Sequence, residues 1–254
     1  MALHVKYGPD GGVFVSDWYD TGECHTRKPH TENGRIYKVT YGQLRAVQPD
    51  VGRMTSAELV ELQLHKNDWW VRHARRVLQE RGAEPAAQAA LREMLEKNPD
   101  VTRRLRALWA LYDTNGATPD LLMKLLSDRD EYMRGWAVRL LCEDHDPGPA
   151  ALAAFERMAG AADETPWVRL SIVSAMTRLP VAARWGVIEK LVGHGEDAAD
   201  QNLPLMAWYA LEPMAVAEPA RALALATHGK MPKLREFVAR RLVESAATTR
   251  PVKH

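Results

Sequence analysis

A helical pattern that recurs about every 30–37 residues constrains this chain more than any other feature. Its copies open at Asp68-Trp-Trp-Val-Arg, Pro99-Asp-Val-Thr-Arg, Asp130-Glu-Tyr-Met-Arg, Pro166-Trp-Val-Arg, Leu203-Pro-Leu-Met and Pro232-Lys-Leu-Arg. Apolar residues then follow at helical spacing. One amphipathic helix cannot hide its own apolar stripe, whereas a stack of helix pairs buries every stripe against a neighbour. Partner helices are predicted at roughly 56–65, 86–97, 119–127, 149–160, 181–192 and 217–227. Thr55-Ser-Ala-Glu58 reads as a capping box, and Thr118-Pro119 and Thr165-Pro166 each place a cap before a first-turn proline. Six pairs are expected over 55–247, with 248–254 a disordered tail.

Composition narrows the function classes. The chain has 254 residues with 34 Lys and Arg against 33 Asp and Glu. Residues 46–254 carry 28 of each sign, so no nucleic-acid partner is expected. No run approaches the ~18 apolar residues of a membrane-spanning helix, so no membrane insertion is expected. Two cysteines cannot build a disulfide framework or a four-cysteine zinc site. No secretory leader is legible at Met1, which predicts a cytoplasmic protein if the chain is complete. Phosphate-loop, dinucleotide, Cys-x-x-Cys-His and His-Glu-x-x-His motifs are all missing. No catalytic residue, metal site or cofactor is assigned within the chain.

The first 45 residues differ from the rest. They hold six of the 16 glycines and six of the 18 aromatic residues. Leu3-Val5-Tyr7, Val13-Phe14-Val15 and Gly34 to Tyr41 alternate as strands, with Gly8-Pro9-Asp10-Gly11-Gly12 as turn chemistry between the first two. Three short strands leave open edges, so 1–45 is expected to belong to a larger sheet whose earlier part precedes Met1. Residues 46–54 read as a linker.

The loop after the second strand gathers Asp17, Asp20, Cys24 and His25. Two readings stand there: a site that ligates a metal or moves protons, and a polar surface turn. Cys142-Glu-Asp-His-Asp146 precedes Pro147-Gly148-Pro149 and reads as helix-end punctuation. Trp69, Trp70, Trp109, Trp136, Trp167, Trp185 and Trp208 sit at helical spacing, which predicts packing within and between repeats. Arg72, Arg134, Arg169 and Arg235 each follow the first apolar residue of a copy and are expected to form a structural ladder between repeats.

The Val-Arg of Val71-Arg72 and Val168-Arg169, with its Met-Arg and Leu-Arg variants, resembles HEAT repeats. The resemblance implies an armadillo-like α-solenoid of about six helix pairs that docks a protein or a neighbouring domain. Tyr7-Gly-Pro-Asp-Gly-Gly-Val-Phe-Val-Ser-Asp-Trp-Tyr-Asp and Asn33-Gly-Arg-Ile-Tyr-Lys-Val resemble the last blade of a β-propeller. Joined to Leu64-His65-Lys66-Asn67-Asp68-Trp69-Trp70-Val71-Arg72, they resemble the membrane-bound dehydrogenase-type, haem-binding Cys-x-x-Cys-His proteins of planctomycetes and verrucomicrobia. That family orders a sugar-dehydrogenase-like propeller, HEAT repeats and a cytochrome c domain. The resemblance implies a scaffold within a periplasmic or cell-envelope oxidoreductase, with haem c and a quinone held by other parts. It also leaves an oxidoreductase that is active only at full length, and a nucleic-acid-binding HEAT protein, as alternatives.

Overall fold

The computed structural model describes residues 2–17, 34–42, 47–48 and 50–248. Among the described residues the fold is mainly α and solenoid-like, with six successive helix pairs preceded by a three-stranded antiparallel sheet. The chain divides into two compact units, Met1–Gly116 and Ala117–His254. The boundary does not fall at the predicted linker, and the reason lies in what the β turn touches. Asn67 Nδ2 donates to the carbonyls of Gly8 (2.9 Å) and Pro9 (3.3 Å), and Trp70 Nε1 donates to Pro9 (3.0 Å). The same Asn67 caps the next helix, its Oδ1 accepting from the Trp69 N–H at 3.0 Å. One side chain thus joins the sheet to the first repeats. Val51–Arg53 is a 3₁₀ turn, and Arg81 donates to the carbonyls of Gly52 and Met54. The end of the 46–54 segment is therefore built into the unit.

In the first unit, β1 (Ala2–Tyr7) pairs with β2 (Val13–Asp17), which pairs with β3 (Arg35–Val39). Gly11 takes the β1–β2 turn at φ 82°, a region that a side chain would strain. Helices α1 (Ser56–Glu61) and α3 (Pro85–Lys97) pack together, as do α2 (Asp68–Arg81) and α4 (Val101–Asp113), so two layers form. Leu59, Leu78, Leu91, Leu95, Leu108 and Leu111 are fully buried between them. Each such leucine contributes about 1.5–3 kcal/mol of transfer free energy. The Thr55–Glu58 capping box is formed in both directions.

The second unit continues the plan with α5 (Pro119–Leu125), α6 (Glu131–Leu141), α7 (Gly148–Gly160), α8 (Pro166–Met176), α9 (Trp185–Leu191), α10 (Leu203–Ala217), α11 (Pro219–His228) and α12 (Pro232–Thr248). Within it α6, α8, α10 and α12 pack successively in one layer, while α7 packs on α9 in the other. Thr118 and Thr165 accept from the N–H groups of Leu121 and Val168 as their spacing predicts. Helix α9 is shorter than expected because Pro180 and a 3₁₀ turn at Val181–Ala183 occupy its predicted start. Past α6, His145 adopts φ 69° and Gly148 φ 76°, which ends one helix and starts the next. Helix α12 reaches Thr248, and residues 249–254 of the predicted tail lie outside the described residues.

Candidate functional site

Of the four junction-loop candidates, Asp17 is the one among the described residues. Asp17 closes β2, in register with Ala2 on one side and Arg35 on the other. Asp20, Cys24 and His25 lie outside the described residues. Among the described residues no group of three or more His, Cys, Asp or Glu is placed to hold a metal ion.

The arginine ladder follows the helix caps rather than the Val-Arg motif. Counting from each cap residue, the fourth position is Arg104 in α4, Arg134 in α6, Arg169 in α8 and Arg235 in α12. Arg104 donates to the carbonyl of Leu95 at the end of α3, and Arg235 to those of Ala226 and Thr227 at the end of α11. Each thereby satisfies carbonyls that a helix terminus leaves open. Arg134 forms a two-pronged pair with Glu164 at 2.5 and 3.2 Å. Arg169, 2% exposed, donates to both oxygens of Asp197 at 2.6 Å and to the Glu164 carbonyl at 2.5 Å. Arg134, Glu164, Arg169 and Asp197 thus run through three successive repeats. Arg72 departs from this ladder. It sits five positions past its cap, is exposed, and pairs with Asp68 of its own helix at 2.5 Å. The cap-based count, available in the sequence, would have picked Arg104 instead.

Two positions further along each helix lies a second row. The sixth residue past the cap is Trp136 in α6, Ser171 in α8, Trp208 in α10 and Phe237 in α12. Where consecutive helices both place a ring there, the rings meet: Trp208 and Phe237 have centroids 5.6 Å apart. Helix α8 places a hydroxymethyl group there instead, and beside Trp136 a cleft of about 380 Å³ opens between α6 and α8. Gly135 lines the same cleft. A Cβ added to it would stand 2.8 Å from both Trp167 Nε1 and Ser171 Oγ. A helix-interior glycine costs about 1 kcal/mol relative to alanine, so this close approach is bought with helix stability.

The cleft is polarised along its length. At the N-terminal ends of α6 and α8, Trp167 is 41% exposed and its ring lies 5.5 Å from that of Tyr132. At the other end are Arg139 and Arg178. Arg139 covers the Trp136 ring at 4.8 Å, and among the described residues no carboxylate pairs with it. Arg178 pairs with Glu143 at 2.7 Å, tying the end of α8 to that of α6. Cys142 is buried against the floor, and burial pushes its thiol up to about 12, so it stays protonated at neutral pH and is no nucleophile. The described lining residues can hold a flat ring and an anion together. Of the tryptophans expected to pack between repeats, Trp185 is buried, Trp69, Trp70, Trp109, Trp136 and Trp208 are half-buried, and Trp167 is exposed.

Comparison with known proteins assigns none of this. No protein-family model matches the chain, and no curated protein does. Among solved structures, the crystal structure of an engineered protein from the Northeast Structural Genomics Consortium is similar, at 15% identity and a TM-score of 0.41. That likeness covers 74% of this chain and spans 57% of the engineered protein's length.

Proposed function

We propose that this chain is a HEAT-repeat interaction scaffold, a module that docks a protein segment or a neighbouring domain within a larger propeller–HEAT–cytochrome c protein. One observation carries the docking role. The α6–α8–α10–α12 layer displays Tyr132, Trp167 and Tyr209 on its exposed side instead of burying them. Aromatic and arginine side chains are the residues that interfaces favour. Support for a larger protein comes from the sheet, where Val5, Ile36, Tyr37 and Val39 are exposed in a segment patterned like a propeller blade. In such a protein, haem and quinone chemistry would belong to other domains, and this chain would hold those domains in register.

The test is selection of a displayed random-peptide library on the immobilised protein. The expected result is an enriched consensus that is lost when Tyr132 and Tyr209 are both replaced by alanine. Both rings are about half exposed, so their removal spares the fold. No enrichment above the bare support would sink the scaffold reading.

A further inference from the structure

The α6–α8 cleft has a more definite chemistry than a general docking face. We propose that it is an anchor pocket for an aromatic side chain flanked by carboxylates on an extended segment of a partner protein. The proposal rests on the scaffold reading and adds the recognition chemistry. Three features of the cleft argue for it.

The first is shape. Ser171 is the small residue that opens the cleft, at a place where its neighbours in the row carry rings, while Gly135 inside α6 lets Trp167 and Ser171 approach the helix backbone. A volume of about 380 Å³ lies at the small end of ligand pockets, which run about 300–1,000 Å³. It suits one inserted ring between Trp136 and Trp167, stacked or edge-on. The second is charge. The Arg139 guanidinium lies over the Trp136 ring, with no described carboxylate paired to it. A guanidinium pre-organised in this way accepts a carboxylate with little loss of side-chain freedom. The Ser171 hydroxyl already donates to the Trp167 carbonyl, which leaves its oxygen as an acceptor for a segment's N–H. The third feature decides between partners. Residues 117–254 carry 17 Lys and Arg against 18 Asp and Glu, and the local cations are two arginines, one of them paired. A nucleic-acid strand needs a basic track for its phosphates, whereas the described residues lining the cleft bring two cations, Arg139 and the paired Arg178. A short acidic peptide needs only the one available guanidinium.

The experiment uses fluorescein-labelled Gly-Asp-Phe-Glu-Gly, its Lys-flanked counterpart Gly-Lys-Phe-Lys-Gly and a Leu-for-Phe version, titrated with the full chain and read by anisotropy. The acid-flanked Phe peptide should bind at least about tenfold more tightly than either control. Ser171→Trp, which restores a ring to the row, should abolish that binding while circular dichroism stays helical. Arg139→Glu, on an exposed side chain, provides a variant that keeps the fold whatever Ser171→Trp does. It should weaken the acid-flanked peptide about tenfold and reverse the preference over the Lys-flanked one. Equal binding of acid- and Lys-flanked peptides, or indifference to both substitutions, overturns the proposal. So does displacement by an oligo-dT strand, which would give the cleft to a nucleobase. If library selection enriches peptides that ignore Ser171→Trp and Arg139→Glu, the scaffold reading stands and this pocket falls.

Discussion

The β segment and the helix pairs solve the same burial problem with unequal success. In the helix pairs each apolar stripe faces two neighbours, and Ala137, Phe155, Ile172, Met176 and Leu211 are wholly sealed. Among the described residues the sheet has one layer only. All five residues of β3 are exposed, and Ile36 stands 76% open to solvent. A helix pair needs only the next pair to complete it, whereas a sheet face needs a second layer. The first unit attaches its sheet by hydrogen bonds from Asn67 and Trp70 to the turn at Gly8 and Pro9. The lesson is that the solenoid holds itself and the sheet is held.

The sharpest way to break the solenoid side of this contrast is at Ala137, which is fully buried mid-way along α6. Ala137→Arg forces a long cation into a space sized for a methyl group. Overpacking and an unpaired buried charge combine, and the expected loss is about 4–5 kcal/mol or more. Chemical denaturation checks it, and an unchanged midpoint would place that helix face outside the core.

Next in size is Asp197→Ala. Asp197 is 3% exposed and takes both prongs of Arg169, so its removal leaves the buried guanidinium only the Glu164 carbonyl and a longer pair with Glu196 at 3.6 Å. The expected cost is about 3–5 kcal/mol. Replacing Arg169 and Asp197 together by apolar residues should cost less than Asp197→Ala alone, since no charge is then left unpaired. A double variant worse than the single would show that the pair stabilises beyond its own desolvation.

The sheet side is tested by Asn67→Ala, which removes a helix cap and two bonds to the β turn at once. About 1–2 kcal/mol should be lost. Amide exchange should quicken in residues 4–7 and 13–17 far more than in α10 or α12, because Asn67 anchors the turn that joins those strands. Equal acceleration throughout would mean that the sheet and the helices unfold as one. Acid should loosen the same turn. The Lys38 ammonium and the Gly12 N–H hold the Asp10 carboxyl below its ordinary value. Its contribution is therefore present above that ordinary value and is lost as pH falls through the lowered one.

Periodicity and punctuation made most of the architecture legible. Alternation located all three strands, and Thr55, Thr118 and Thr165 marked helix starts because a side-chain oxygen must meet the free N–H groups there. Composition does not reveal that Arg81 grips Gly52 and Met54, or that Asn67 reaches back to Gly8. The cleft was not legible for a different reason. Its signature is a ring missing at Ser171 and a glycine inside α6, and both stand out only once the helices are aligned by their caps. Arg104 and Arg184 were overlooked likewise. Each is buried and donates to backbone carbonyls, Arg104 to Leu95 and Arg184 to Leu179 and Ala210, and a carbonyl leaves no mark in the sequence.

The smallest expected effect belongs to Arg72, and it tests the cap-based register directly. Counting from the first apolar residue puts Arg72 in the ladder beside Arg169. Counting from the cap puts it one position round the helix, where the structure leaves it 71% exposed. There it makes an i,i+4 pair with Asp68, and such pairs are worth about 0.3–0.5 kcal/mol. Asp68 keeps a second cation when Arg72 is removed, since Arg106 donates to its other oxygen at 3.1 Å. Alanine is also the better helix former by a small margin. Arg72→Ala should therefore change stability by no more than about 0.5 kcal/mol, and added salt should shrink the difference further. Arg104→Ala, measured beside it, removes a buried donor from the Leu95 carbonyl and should cost about 1–3 kcal/mol. If the two variants lose the same amount, the ladder runs through the Val-Arg motif after all and the cap count is the wrong ruler.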